Sequence, residues 1–208
     1  SYDVIVVGSG IVGSCTAYHL AKYKKRTLLI EQFRLCHSKG SSHGASRIIR
    51  HAHDSPIYLP LVIDAYKQWK LLQETTQKTI MTQCGLLWIG CREETKKRSE
   101  ILKKFSIDHE ILIGNEIRKK FPHLVYDSND WWALYEKSGG VLHAENCLQA
   151  VQERYKELGG EIHEEEEVKN LNVIAGQITQ VVTNRRTYIA DKVVFTIGSW
   201  LPTFFPGL

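Results

Sequence analysis

The spacing of apolar and polar positions changes several times along the chain, and each change marks an element. Tyr2-Asp3-Val4-Ile5-Val6-Val7 is a short, mostly β-branched run, the composition of a strand buried on both faces of a parallel sheet. Gly8, Gly10 and Gly13 follow at once, after which Ile11, Val12, Ala17, Leu20 and Ala21 recur at helical intervals as far as Lys24-Lys25-Arg26. A second apolar run, Thr27-Leu28-Leu29-Ile30, predicts another strand and ends in Glu31. Leu61, Ala65, Trp69 and Leu72 share one helical face after Pro60, and Leu86-Leu87-Trp88-Ile89, bounded by Gly85 and Gly90, reads as a strand. A Lys/Glu-rich helical stretch and the pair Trp131-Trp132 lie between these and Gly139. Leu148, Val151, Tyr155 and Leu158 form a further amphipathic helix that closes at Gly159-Gly160. Val168 to Ala190 then alternates, with turn signals at Ala175-Gly176 and Asn184-Arg185, and predicts a β-meander. Lys192 to Ile197 reads as one more parallel strand, ending at Gly198.

Composition narrows the class. At 208 residues, 43% hydrophobic and 24% charged, the chain is expected to be a soluble globular protein of one large or two unequal domains. No apolar run approaches the ~20 residues of a membrane span, so no membrane partner is expected. The 27 basic and 23 acidic residues leave a net charge of +4. The basic runs are scattered and answered by Glu164 to Glu167; no basic stripe emerges, and no nucleic-acid partner is expected. The five cysteines, Cys15, Cys36, Cys84, Cys91 and Cys147, are odd in number, far apart and without a C-x-x-C pair. That usage predicts free thiols in a reducing compartment rather than a disulfide framework or zinc site. His43, His51 and His53 lack a Cys or carboxylate at ligand spacing, so no metal is expected.

The opening segment carries the chemistry. Strand, G-x-G-x-x-G, helix and second strand make a complete βαβ unit. Gly8 permits the tight turn, Gly10 lets a pyrophosphate approach the backbone, and Gly13 lets helix and strand pack closely. The helix N-terminus then aims unpaired N–H groups at the phosphates. Glu31, eighteen residues beyond Gly13, stands where an acidic side chain accepts the ribose hydroxyls, which disfavours NADP and leaves NAD or FAD. After Glu31 the chain enters a polar, small-residue loop, Cys36 to Gly44, of the kind that lies against a ligand, and then Arg47-Ile48-Ile49-Arg50-His51-Ala52-His53. R-x-x-R alone is also common in exposed loops. Val168 and Gly198 are expected to end strands that converge on the glycine loop and to meet a cofactor through backbone.

The segment His37 to Arg50, H-S-x-G-S-S-H-G-x-x-R-I-I-R, resembles the flavin-contacting segment of the monomeric sarcosine oxidase and peroxisomal sarcosine/pipecolate oxidase family. Ala17 to Lys22, Glu31-Gln32-Phe33, Ser138 to Val141 and Thr196 to Trp200 are similar too. The resemblance implies an α/β fold: a Rossmann-like FAD-binding domain of the glutathione-reductase type, amino-acid-oxidase-like, with part of an α+β substrate domain. It implies a first FAD-domain segment at 1–80, a substrate-domain part at 81–138 and a second FAD-domain segment at 139–208, in a chain expected to be truncated to the first half of such an enzyme.

The implied activity is FAD-dependent oxidation of sarcosine or L-pipecolate to an imine, with O2 reduced to H2O2. Arg50 would take the substrate carboxylate, Arg47 would lie near the flavin ring, and His43 would order it. Gly8, Gly10, Gly13, Glu31, Ser41, His43, Arg47, Val168, Gly198 and Trp200 would contact FAD. His53 stands where bacterial relatives carry a tyrosine, which puts substrate preference in question. The family's flavin-linking cysteine, its oxygen-activating lysine and a second carboxylate-binding lysine belong to the other half, so none of these five cysteines inherits the covalent role. A monomer in the peroxisome is implied, otherwise in the cytoplasm, with the targeting tripeptide outside this chain. The alternatives are a NAD-dependent dehydrogenase and a non-catalytic nucleotide-binding fragment.

Overall fold

The computed structural model describes residues 1–125 and 130–207, so the closing Leu208 lies outside the described residues. In chain order the elements are β1 (Tyr2–Val7), α1 (Ile11–Lys22), β2 (Thr27–Ile30), β3 (Ser46–Ile49), α2 (Leu59–Thr76), β4 (Met81–Thr82), β5 (Leu86–Gly90), α3 (Arg92–Lys104), β6 (Glu110–Ile113), α4 (Asn115–Lys120), β7 (Trp132–Glu136), β8 (Gly140–His143), α5 (Ala144–Glu157), β9 (Glu161–His163), β10 (Val168–Ile174), β11 (Gln177–Thr183), β12 (Thr187–Tyr188), β13 (Ala190–Phe195) and α6 (Leu201–Phe204). They form two compact units, Ser1–Ala45 with Ala144–Leu208, and Ser46–His143. Residues 46–80, grouped with the first FAD-domain segment in the sequence reading, cluster instead with the second unit, and the chain returns to the first unit at Ala144 rather than at 139. The reason is pairing: β3 and β4 both bond β8 in an antiparallel sheet of that unit.

The first unit is built on a four-stranded sheet, β13-β1-β2-β9, in which every neighbouring pair is parallel. Alternation along β1 assigns its two faces. Val4 and Val6 pack with Leu29 against Ala17 and Ala21 of α1 and Tyr155 of α5. Ile5 and Val7 pack with Leu28 and Ile30 against Val168, Val181 and Tyr188 of the antiparallel β10-β11-β12 layer. The expected meander is therefore the third layer over the sheet. Its first turn falls at Ala175 and Gly176, both with positive φ (50° and 77°), the left-handed geometry of a tight hairpin.

The second unit has two three-stranded antiparallel sheets, β3-β8-β4 and β5-β7-β6, with α2, α3 and α4. Ala52, Leu59, Ile101, Leu102 and Leu134 form one of its cores. Trp132 lies in β7 with Arg92 and Lys96 over its ring at 5.4 and 5.7 Å. Among the described residues no helix is long and apolar enough to cross a membrane.

Candidate functional site

The carboxyl end of the parallel sheet in the first unit opens into a cavity of about 780 Å³, inside the range of small-molecule sites. The glycine loop forms its floor. Gly8 has φ +98°, and a Cβ there would sit 2.8 Å from the Thr196 carbonyl oxygen, so only glycine suits the turn. A Cβ on Gly13 would collide with the Gly8 carbonyl and the Thr196 hydroxyl, which is the close helix–strand packing expected of the third glycine. Gly10 precedes α1 and faces the cavity; a Cβ there would meet only the Ser42 side chain, at 3.0 Å.

Glu31 closes one side. It is buried, and its Oε2 accepts from the Ser9 N–H (2.9 Å) and the Ser9 hydroxyl (3.0 Å), while Oε1 accepts from the Phe33 N–H (3.1 Å). His37 Nε2 stands 3.4 Å from Oε1. Ser9 is held in turn: its carbonyl accepts from the Ser14 hydroxyl (2.9 Å) and from Gln152 Nε2 (3.2 Å) on α5. The loop after Phe33 folds back so that Ser42 Oγ accepts from the Ile11 N–H at 2.9 Å, giving α1 a cap from outside its own segment. Ser9, Ser42 and Gln152 were not foreseen; only the polar character of the loop signalled Ser42.

Glu31, Gly8, Gly10, Ser41, His43, Val168, Gly198 and Trp200 all line this cavity, and Gly13 lies behind it. The His43 ring is exposed and bonds the Gly40 carbonyl. Val168 is buried but begins β10 rather than ending a strand. Likewise β13 stops at Phe195, and Gly198 opens a short 3-10 turn with φ +53°. A Cβ at Gly198 would meet nothing within 4 Å, so backbone approach is open there. Trp200 packs edge-on to Phe33, with ring centroids 5.9 Å apart. Arg47 and Arg50 belong to the second unit, Arg47 exposed on β3 and Arg50 just after it. Arg50 Nε is buried with no hydrogen-bond partner among the described residues. No group of three His, Cys, Asp or Glu side chains among the described residues could hold a metal ion.

A glycine loop under a helix N-terminus, a buried carboxylate at the tip of β2 and an open glycine at Gly198 offer the chemistry an adenine dinucleotide needs, N–H donors for phosphate and an acceptor for a ribose hydroxyl.

Comparisons with known proteins agree. Over its whole length the chain is 42% identical to a putative sarcosine oxidase of Caenorhabditis elegans, covering 53% of that protein. It is 39% identical to the peroxisomal sarcosine oxidase of Homo sapiens, with 96% of the chain and 51% of that protein covered. It thus spans about half the length of the curated relatives it matches. Among solved structures, NikD, an unusual amino acid oxidase essential for nikkomycin biosynthesis, superposes with a TM-score of 0.84 at 26% identity, over 99% of the chain and 53% of that protein. The L-proline dehydrogenase of P. horikoshii, at 24% identity, shares the fold with a TM-score of 0.86, over 98% of the chain and 55% of that protein. The family model "FAD dependent oxidoreductase" matches residues 3–208, and the chain belongs to that family.

Proposed function

We propose that this chain supplies the FAD site and the substrate-binding arginine of an oxidase acting on a small secondary amino acid, sarcosine or L-pipecolate. The family decides between FAD and NAD in favour of FAD. The observation that carries the activity is similarity over the whole chain to sarcosine oxidases at 34 to 42% identity, in a protein whose cavity fits the adenosine end of FAD. When bound, FAD would accept the two electrons lost as a C–N single bond of the secondary amine becomes an imine, and O2 would take them on to H2O2.

The chain's own residues bind and orient. Glu31, Ser41, Val168, Gly198 and Trp200 hold the cofactor, with Val168 and Gly198 contributing backbone. His43 orders the ring end. Arg47 would supply positive charge to the flavin ring, which favours electron acceptance. Arg50 pairs the substrate carboxylate with its planar fork; its Nε, like those of Arg98 and Arg154, is buried without a hydrogen-bond partner among the described residues. A peroxisomal, monomeric enzyme is the reading favoured by the names of the mammalian and bacterial relatives. The test is O2 consumption and H2O2 formation by the FAD-loaded full chain with sarcosine and with L-pipecolate. Flavin binding without turnover of either amine leaves a nucleotide-binding fragment as the correct description.

A further inference from the structure

The second unit contains a buried carboxylate that the proposed chemistry does not use. Glu136, the last residue of β7, has no exposed surface. Its Oε1 accepts from the His51 N–H (2.9 Å), from His51 Nδ1 (2.6 Å) and from the Ser138 hydroxyl (2.7 Å). Its Oε2 accepts from the Ala52 N–H at 2.9 Å and shares the His51 N–H at 3.0 Å. The His51 ring is itself clamped, stacked on Tyr66 with centroids 4.1 Å apart and 9° between planes. The Tyr66 hydroxyl donates to the Ser138 carbonyl at 2.9 Å. Burial pulls the Glu136 carboxyl upward, but hydrogen bonds from His51, Ser138 and the His51 and Ala52 backbone outweigh it and hold the group below its ordinary value of 4.5. Glu136 is therefore an anion, with its roughly four lone-pair sites already used.

All four donor groups come from residues 51, 52 and 138, and Arg50 is the next residue in the chain. Downstream, the His53 N–H donates to the His51 carbonyl at 2.7 Å. The segment 50–53 is thus wound around one buried charge while the Arg50 Nε has no hydrogen-bond partner among the described residues. We propose that Glu136 is a positioning residue for the substrate carboxylate: by holding the His51–Ala52 backbone through charge-assisted hydrogen bonds, it sets the direction in which Arg50 presents its guanidinium. This rests on the reading of Arg50 as the carboxylate ligand.

The test uses the FAD-loaded full chain, titrated with methoxyacetate, the unoxidisable ether analogue of sarcosine, while flavin absorbance is followed. Glu136→Gln keeps the side-chain shape but turns an acceptor into a donor facing N–H groups. It should weaken methoxyacetate about tenfold at unchanged flavin content, with the loss of sarcosine or pipecolate turnover appearing in KM more than in kcat. In an Arg50→Lys background Glu136→Gln should add nothing further, because both act through one guanidinium. Unchanged methoxyacetate affinity in Glu136→Gln, or full additivity with Arg50→Lys, overturns the proposal. If Arg50→Lys alone binds methoxyacetate as tightly as the parent, it is the Arg50 reading that fails. Should Glu136→Gln fail to fold or to hold FAD, Ser138→Ala removes a single donor, and it should weaken methoxyacetate about threefold; unchanged affinity there also overturns the proposal.

Discussion

A carboxylate that already accepts two backbone N–H groups and a hydroxyl has limited capacity left for a ligand, and this governs what Glu31 can do. The Ser9 hydroxyl can rotate away and give up its place, whereas the Ser9 and Phe33 amides cannot. Of about four acceptor sites, ribose hydroxyls can therefore take the open one and the one the Ser9 hydroxyl vacates, and Glu31→Ala should weaken FAD by ~1 to 3 kcal/mol in a fluorescence titration. The same change strands both amides, so urea unfolding of the FAD-free protein must be measured alongside; full FAD affinity would remove Glu31 from the ribose. Gly198 needs a gentler probe than a β-branched residue, because its φ of +53° strains any side chain. Gly198→Ala should lower flavin retention, and normal flavin content would count against a backbone contact there. Gly8, Gly13 and Glu31 were legible because their tasks are set by neighbours a few positions away or by one βαβ unit. Ser9, Ser42 and Gln152 were not, since their partners lie 22, 31 and 143 positions off and their identities follow no local spacing.

Elements with a helical period or an unbroken apolar run were legible: β1, α1, β2, α2, β5 and α5 lie where the apolar spacing placed them, to within a few residues at their ends. β3 was given no element, because Ser-Arg-Ile-Ile is neither an unbroken apolar run nor an alternating one; its strand state comes from pairing with β8 across the sheet. The long-range cap on α1 has a testable cost. Ser42→Ala leaves the Ile11 N–H without its acceptor and should destabilise the FAD-free protein by ~1 kcal/mol in urea; an unchanged midpoint would show that water replaces the hydroxyl. A second joint ties the meander to β9. Glu166 is buried and accepts from Thr183 (2.7 Å) and Tyr188 (2.8 Å), with His163 Nδ1 at 3.2 Å. Burial raises its carboxyl, and the two hydroxyl donors with the charges of His163 and Arg186 outweigh that, leaving it below 4.5. A depressed folded-state value adds stability above the unfolded value, and that stability is lost as pH falls through the folded one. Glu166→Gln should be less stable than the parent at pH 6, and the gap should close in acid; a gap independent of pH would mean the charge is not what matters.

At the scale of the molecule, the features proposed to recognise a nucleotide are gathered in one unit. The glycine loop, the N-terminus of α1, Glu31 and Val168 belong to Ser1–Ala45 and Ala144–Leu208 and line a single cavity, whereas both arginines of interest fall in Ser46–His143. This division was only partly legible, because a short strand after Ala45 commits the chain to a new sheet before any composition shift announces it. It also separates two kinds of binding energy. The adenosine and pyrophosphate contacts need only the three-layer unit, so ADP, which carries both but no isoalloxazine, should displace FAD from the chain, and riboflavin, which carries neither, should not. The FAD left on the protein after gel filtration gives the readout. Glu31→Ala should weaken ADP and FAD by the same factor, because the ribose they share is where that carboxylate acts. Adding a 2′-phosphate to ADP should weaken it further in the parent, where a second anion would face Glu31, and much less in Glu31→Ala. If riboflavin competed as well as ADP, or if the 2′-phosphate made no difference in the parent, the assignment of this cavity to the adenosine end of FAD would have to be abandoned.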